Sequence, residues 1–173
     1  MDKELFKKTE GQLYRYYRYK KQINRMIRKT EILENQIQSV DNQIRNVHKY
    51  INIDPYQSGQ GIQERVQSSI DGSSYMEKEM EGEVTKLEKE KCNRIKAKLK
   101  EEYKIRDRQW FIRIMDTNIE MLSEEDKRFI ELKYGDEKEV PYIAMQLNMA
   151  QATAYRHREE LVENIADFME WIK

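Results

Sequence analysis

The sequence has one cysteine, two prolines and six glycines in 173 residues, and each scarcity removes a class of explanation. Cys92, set among Lys91, Asn93 and Arg94, cannot close an internal disulfide. A disulfide-stapled scaffold is therefore excluded, and a reducing cytoplasm is the expected compartment. No stretch approaches the roughly 18 apolar residues of a membrane span, and Met1-Asp2-Lys3-Glu4 opens no apolar leader segment, so no membrane partner is expected. His48 and His157 stand far from each other and from Cys92. That leaves no ligand set at metal spacing and no base for a cysteine nucleophile, so neither a metal, a cofactor nor an enzyme is expected.

What is abundant is charge. Charged residues make up 37% of the chain against 38% hydrophobic, too charged and too unbroken for an ordinary globule and suited to helices that bury narrow seams. The 32 basic and 32 acidic residues cancel formally but not locally. Residues 1 to 50 carry 12 basic against 6 acidic side chains, 75 to 118 carry 12 against 10, and 119 to 173 carry 7 against 13.

From Tyr16 the positions Tyr19, Ile23, Met26, Thr30, Leu33, Ile37, Val40, Ile44, Val47 and Ile51 follow in alternating steps of three and four. This heptad pattern predicts one long helix over residues 1–53, its stripe buried against another helix, ending near Asn52 because Pro55 disfavours a helical Asp54. Residues 54–74, rich in Gly and Ser, read as a linker, with Ile62, Val66 and Ile70 spaced for a short docked helical turn. A second long helix is predicted over 75–118, with Met76, Met80, Val84, Leu87, Ile95, Leu99, Tyr103 and Trp110 on its buried side and Gly82 as its weak point. Several of those steps total eleven residues, which predicts packing across a neighbour and hence an antiparallel hairpin. A homodimer in which each long helix pairs with its copy is the rival.

Residues 119–173 change to short helices with punctuation. Ser123 before Glu124, Glu125 and Asp126 is an N-cap signal, Phe129, Ile130 and Leu132 follow, and Gly135 is expected to end that helix in the left-handed conformation. Pro141 opens the next, with Ile143, Ala144 and Leu147 buried, Asn148 takes the tight turn, and a last helix runs from about Ala150 to Ile172 with Ala154, Leu161, Val162 and Ile165 inward. A short helix, a tight turn and a second amphipathic helix describe a helix-turn-helix, whose second helix enters the major groove. The expected fold class is thus all-α, two long helices plus a C-terminal helix-turn-helix domain.

On that reading Gln151, Thr153, Tyr155 and Arg156 stand outward at the start of the last helix, with His157 and Arg158 a turn further. Gln and Arg can pair bidentately with adenine and guanine, and Thr or Tyr can reach phosphate or a thymine methyl. Lys127, Arg128 and Lys133 add local cations for double-stranded DNA within a Debye length of about 8 Å, in spite of the acidic balance of this segment. The first helix offers another cationic surface in Arg15, Arg18, Lys20, Lys21, Arg25, Arg28 and Lys29, interleaved with Tyr14, Tyr16, Tyr17 and Tyr19, of which Tyr16 and Tyr19 belong to the seam.

The run from Leu122 to Gly135, followed by Ile143-Ala144, Leu147 and Thr153, resembles the promoter-reading fourth region of bacterial sigma factors. With Thr153-Ala154-Tyr155-Arg156-His157-Arg158-Glu159-Glu160-Leu161-Val162, Ile165-Ala166 and Trp171, and with Leu13-Tyr14-Arg15-Tyr16, Lys20-Lys21 and Ile23 near the start, it more closely resembles the RinA/ArpU-type phage transcriptional regulators. That resemblance implies a sequence-specific activator of a late packaging or structural operon, acting with host RNA polymerase in the bacterial cytoplasm. Two alternatives stay open: a small terminase subunit that marks viral DNA for packaging, and a helical adaptor that binds protein without DNA affinity.

Overall fold

The computed structural model describes residues 3–50 and 75–170, all-helical with no strand among them. The end of the first seam at Ile51, the stop near Asn52, the 54–74 linker with Ile62, Val66 and Ile70, and Trp171 and Ile172 lie outside the described residues, as does the side chain of Met76. Two long helices, α1 (Lys3–Arg45) and α3 (Tyr75–Glu120), are present, with a one-turn helix α2 (Val47–Tyr50) following a break at Asn46. Gly82 does not interrupt α3. Then come α4 (Glu124–Ile130), a π-helical turn (Glu131–Gly135), α5 (Val140–Gln146) and α6 (Gln151–Glu170).

These residues divide into two compact units, one drawn from both ends of the chain, Met1–Ile27 with Tyr103–Lys173, and one continuous, Arg28–Glu102. In the Arg28–Glu102 unit α1 and α3 run antiparallel, because the pairs Lys29–Glu101 (3.0 Å), Glu34–Lys98, Gln36–Arg94 and Asp41–Lys91 fall on α3 as they rise on α1. In the other unit the same polarity follows from Tyr16–Asp116 and Gln22–Arg108 (2.8 Å).

The α1 seam is where its spacing puts it: Tyr16 and Val40 are buried, and Tyr19, Ile23, Met26, Thr30, Leu33, Ile37, Ile44 and Val47 are half-buried. It also begins earlier than Tyr16. Phe6, Thr9 and Leu13 extend it backwards, with two successive steps of three meeting at Tyr16, Leu13 fully enclosed and the Thr9 hydroxyl donating to the Leu5 carbonyl at 3.0 Å.

The α3 seam holds the expected Met80, Val84 and Leu87 and departs from the expected line beyond them. Ile95, Leu99, Tyr103 and Trp110 are exposed, the last three at 55%, 67% and 63%. The positions turned inward are Met80, Val84, Leu87, Lys91, Arg94, Lys98, Glu101, Ile105, Arg108, Ile112 and Met115, an unbroken heptad series in which five members are charged. Lysine and arginine lay their methylene stems along the apolar seam of α1 while their charged ends reach its Asp41, Gln36, Glu34 and Gln22. The eleven-residue steps that end on Ile95 and Trp110 came from following apolar residues on the wrong face.

The core of the Met1–Ile27 and Tyr103–Lys173 unit is made by Leu13 and Tyr16 of α1, Met115 of α3, Phe129 and Ile130 of α4, Tyr134 of the π-turn, Val140, Ile143 and Ala144 of α5, and Ala154, Leu161, Val162 and Ile165 of α6. Each large apolar side chain enclosed here contributes about 1.5–3 kcal/mol. Short helices such as α4 and α5 are unstable alone, so this shared core is what holds them.

Candidate nucleic-acid interface

α5 and α6 are set by local chemistry. Glu139 enters α5 in the extended conformation, with Val140 and Pro141 opening the helix. Proline fits there, since a first-turn N–H has no helical partner to lose. Ile143 and Ala144 are buried and Leu147 half-buried. At the other end Asn148 is left-handed (φ 52°), the Met149 N–H reaches the Ala144 carbonyl at 2.9 Å and the Asn148 N–H the Met145 carbonyl at 3.4 Å. That pair of bonds is the Schellman closure, which satisfies helix-end carbonyls and turns the chain sharply. Three residues later α6 has begun.

On α6 the inward row is Ala154, Leu161, Val162, Ile165 and Ala166, all at or below 3% exposure. Gln151, Thr153, Tyr155 and Arg156 are exposed in the first two turns, Arg156 with only a loose 3.9 Å pair to Glu160. An exposed pair of that length holds the guanidinium weakly. Past Arg156 the exposed residues turn acidic, with Glu159, Glu160, Glu163 and Asp167.

Arg158 is not part of that outward group. Its guanidinium meets Glu10 at 2.8 Å, lies over the Phe6 ring, and is 23% exposed. Burial draws its pKa down, but the Glu10 bond and charge outweigh that and leave it raised. Tyr134 donates to the same Glu10 oxygen at 2.8 Å, so one carboxylate of α1 ties down both the π-turn and α6. His157 is likewise turned inward: Nε2 lies 2.9 Å from Asp126 and the ring stands edge-on to Phe129. The reason for both departures is that residues 157 and 158 adjoin the buried row of Ala154 and Leu161, not the outward one.

Of the remaining cations, Arg128 is exposed, Lys127 pairs with Glu124 on its own helix at 2.7 Å, and Lys133 donates to the Lys138 carbonyl at 3.4 Å. Ser123 caps α4 by accepting from the Asp126 N–H at 3.2 Å, which leaves the Asp126 carboxylate for His157 and brings the first turn of α4 against α6. Gly135 does not take the left-handed conformation; Glu137 does, at φ 57°. Glycine is needed instead for room, because a Cβ at 135 would lie 3.0 Å from the Tyr17 ring. Lys21 then donates to the Gly135 carbonyl at 2.5 Å.

With Tyr14, whose ring stands edge-on to Tyr134 at 4.9 Å, the α1 residues that make these contacts, Glu10, Tyr14, Tyr17 and Lys21, step by four, three and four. They form a second stripe beside the seam, a periodic signal that mixed polarity hides from a search for apolar residues. Among the described residues no group of His, Cys, Asp and Glu could hold a metal ion, and no helix is long and apolar enough to cross a membrane. No family model, curated protein or solved structure matches this chain.

Proposed function

We propose that the chain is a sequence-specific DNA-binding protein in which α5 and α6 act as a helix-turn-helix, with Gln151, Thr153, Tyr155 and Arg156 presented to base edges and phosphates. The observation that carries this reading is the division of α6. Its first two turns keep four hydrogen-bonding side chains outward, while Ala154, Leu161, Val162 and Ile165 fix the helix against the core. The charge order supports entry by the N-terminal end: the helix dipole and Arg156 favour phosphate there, and Glu159, Glu160 and Glu163 would repel it further along. Arg128 and Lys127 on α4 are the auxiliary backbone contacts, Lys133 a third, and Arg158 is a positioning residue. The resemblance to RinA/ArpU-type regulators extends the reading to activation of a late phage operon together with host RNA polymerase.

The test is selection of bound sequences from a random duplex pool by the whole protein, followed by run-off transcription from the selected site with bacterial RNA polymerase. Arg156→Ala is expected to weaken the selected duplex by about 1–3 kcal/mol, roughly fivefold to over a hundredfold, with an unchanged melting curve. A pool in which no sequence is enriched, or equal affinity in Arg156→Ala and Gln151→Ala, sinks the proposal. The acidic outward residues of α6 favour the protein-binding adaptor as second reading, and an empty selection is its expected result.

A further inference from the structure

We infer that the solvent side of α1 within residues 11–27 is a second DNA surface, which grips the sugar–phosphate backbone through Arg15, Arg18 and Arg25 without reading bases. The inference rests on the DNA-binding reading above but on different residues, and it answers the charge deficit of the C-terminal segment, where 13 acidic side chains face 7 basic ones. Between Glu10 and Glu31 the chain has seven basic residues and no acidic one.

The structure sorts those cations. Lys20 is matched by Asp116 at 3.3 Å, Lys29 by Glu101 at 3.0 Å, and Lys21 is held by the Gly135 carbonyl, which fixes its position without cancelling its charge. Arg15, Arg18, Arg25 and Arg28 are exposed, none with an ion-pair partner among the described residues, and Arg28 belongs to the Arg28–Glu102 unit.

A solvated helix face is the ordinary explanation of a charge run, and α3 shows what that looks like. Its solvent side mixes signs, with Lys86 paired to Glu83 and Glu90 to the half-buried Arg94 one turn apart. The α1 face has one sign only. Arg15, Arg18, Lys21 and Arg25 follow in steps of three, three and four, so each faces another cation one turn away, an arrangement that disfavours the helix until an anion array lies along it. Arg18 and Arg25 are separated by about 10 Å of helix rise, the axial span of roughly three phosphates of one strand. Arginine is the side chain whose fork fits phosphate bidentately.

Three of the four tyrosines in this stretch favour duplex over single strands, and the exposed Tyr14 stands edge-on to Tyr134 at 4.9 Å. Tyr16 is buried, Tyr17 packs on Gly135, and Tyr19 stands edge-on to Phe111 at 5.7 Å. Binding of unpaired bases needs free aromatic faces for stacking, and these three rings are engaged by contacts within the protein.

The experiment measures the affinity of the full chain for a random-sequence 30-base-pair duplex across a salt series, for the parent, the Arg15→Gln/Arg18→Gln/Arg25→Gln triple variant and each single variant. Each lost phosphate contact flattens the log–log salt slope by about 0.9, so the triple variant is expected to lose about 2.7 from the slope and about a hundredfold in affinity near 0.15 M salt. Arg→Lys at the three positions is expected to keep the slope, and circular dichroism should show the fold intact in all of them. An unchanged slope in the triple variant, with Arg156→Ala still weakening the selected duplex, overturns the α1 surface and leaves the α6 reading standing. The reverse pattern overturns the α6 reading alone, and no duplex binding by the parent overturns both. Tighter binding of a single-stranded oligonucleotide than of the duplex, or loss of poly-glutamate binding in the triple variant with its DNA slope intact, also overturns the proposal, the latter in favour of an acidic protein partner.

Discussion

Gly135 is a case where a missing side chain is the contact. Tyr17 lies 3.0 Å from where a Cβ would be, and it is backed by Tyr16, edge-on at 4.8 Å, so the ring has little freedom to retreat. Gly135→Ala should therefore destabilise by about 1–2 kcal/mol, as overpacking does, although Ala normally favours helix over Gly. A urea melt checks this, and a double variant with Tyr17→Leu should recover most of the loss; a more stable Gly135→Ala would show that the ring yields. Three tyrosines also carry a pH signature. Burial, then the Asp116 hydrogen bond, pushes the Tyr16 phenol well above its usual 10; burial does the same for Tyr17, followed by the nearby Tyr16. For Tyr134 burial leads, with the charge of Glu10 next. The fold thus favours their neutral forms, and that stabilisation is whole below pH 10 and lost as the pH climbs above it, where the unfolded chain ionises first. Of the eleven tyrosines, three should stay silent in an ultraviolet titration until alkaline unfolding releases them together. Smooth titration of all eleven with the fold still intact is the contrary result.

At the level of elements, the legible and illegible parts of the sequence differ by chemistry. The α1 seam is written in apolar residues and can be read directly, as can the inward row of α6, the Ser123 cap and the Asn148 turn. The α3 seam is written partly in Lys91, Arg94, Lys98, Glu101 and Arg108, whose stems pack while their ends pair with α1. A reading keyed to side-chain polarity assigns such positions to solvent and promotes Leu99 and Trp110 in their place. Leu99→Gln should consequently change stability by no more than about 0.5 kcal/mol, while Ile105→Gln, 9% exposed, should cost about 2 kcal/mol or more. Thermal melts of the two variants decide it, and a larger loss at 99 than at 105 would restore the apolar-face assignment. Arg158 and His157 were hidden for a related reason: nothing local in the sequence announces that Glu10 and Asp126 stand opposite them.

For the molecule as a whole, the candidate interface depends on residues more than a hundred positions away. Leu13 and Tyr16 share a core with Phe129, Ile143 and Val162, and Glu10 holds Tyr134 and Arg158. The C-terminal residues look self-sufficient in the sequence, because short helices with good caps describe a small domain without reference to anything upstream. A fragment of residues 119–173 should nevertheless be poorly ordered, with little chemical-shift dispersion and no cooperative melt, and should gain structure on addition of a peptide of residues 1–27. A sharp melt by the fragment alone would show that the α1 contacts are dispensable.

The compact unit that holds α6 joins Met1–Ile27 to Tyr103–Lys173, and about 75 residues intervene. On a ribosome adding about 5–20 residues per second, the greasy edge of Leu13 and Tyr16 waits at least several seconds before its partners leave the exit tunnel. Nascent chains of this protein are therefore clients for whatever shields apolar surface during translation, and conditions that slow elongation between codons 28 and 102 should lower the soluble yield.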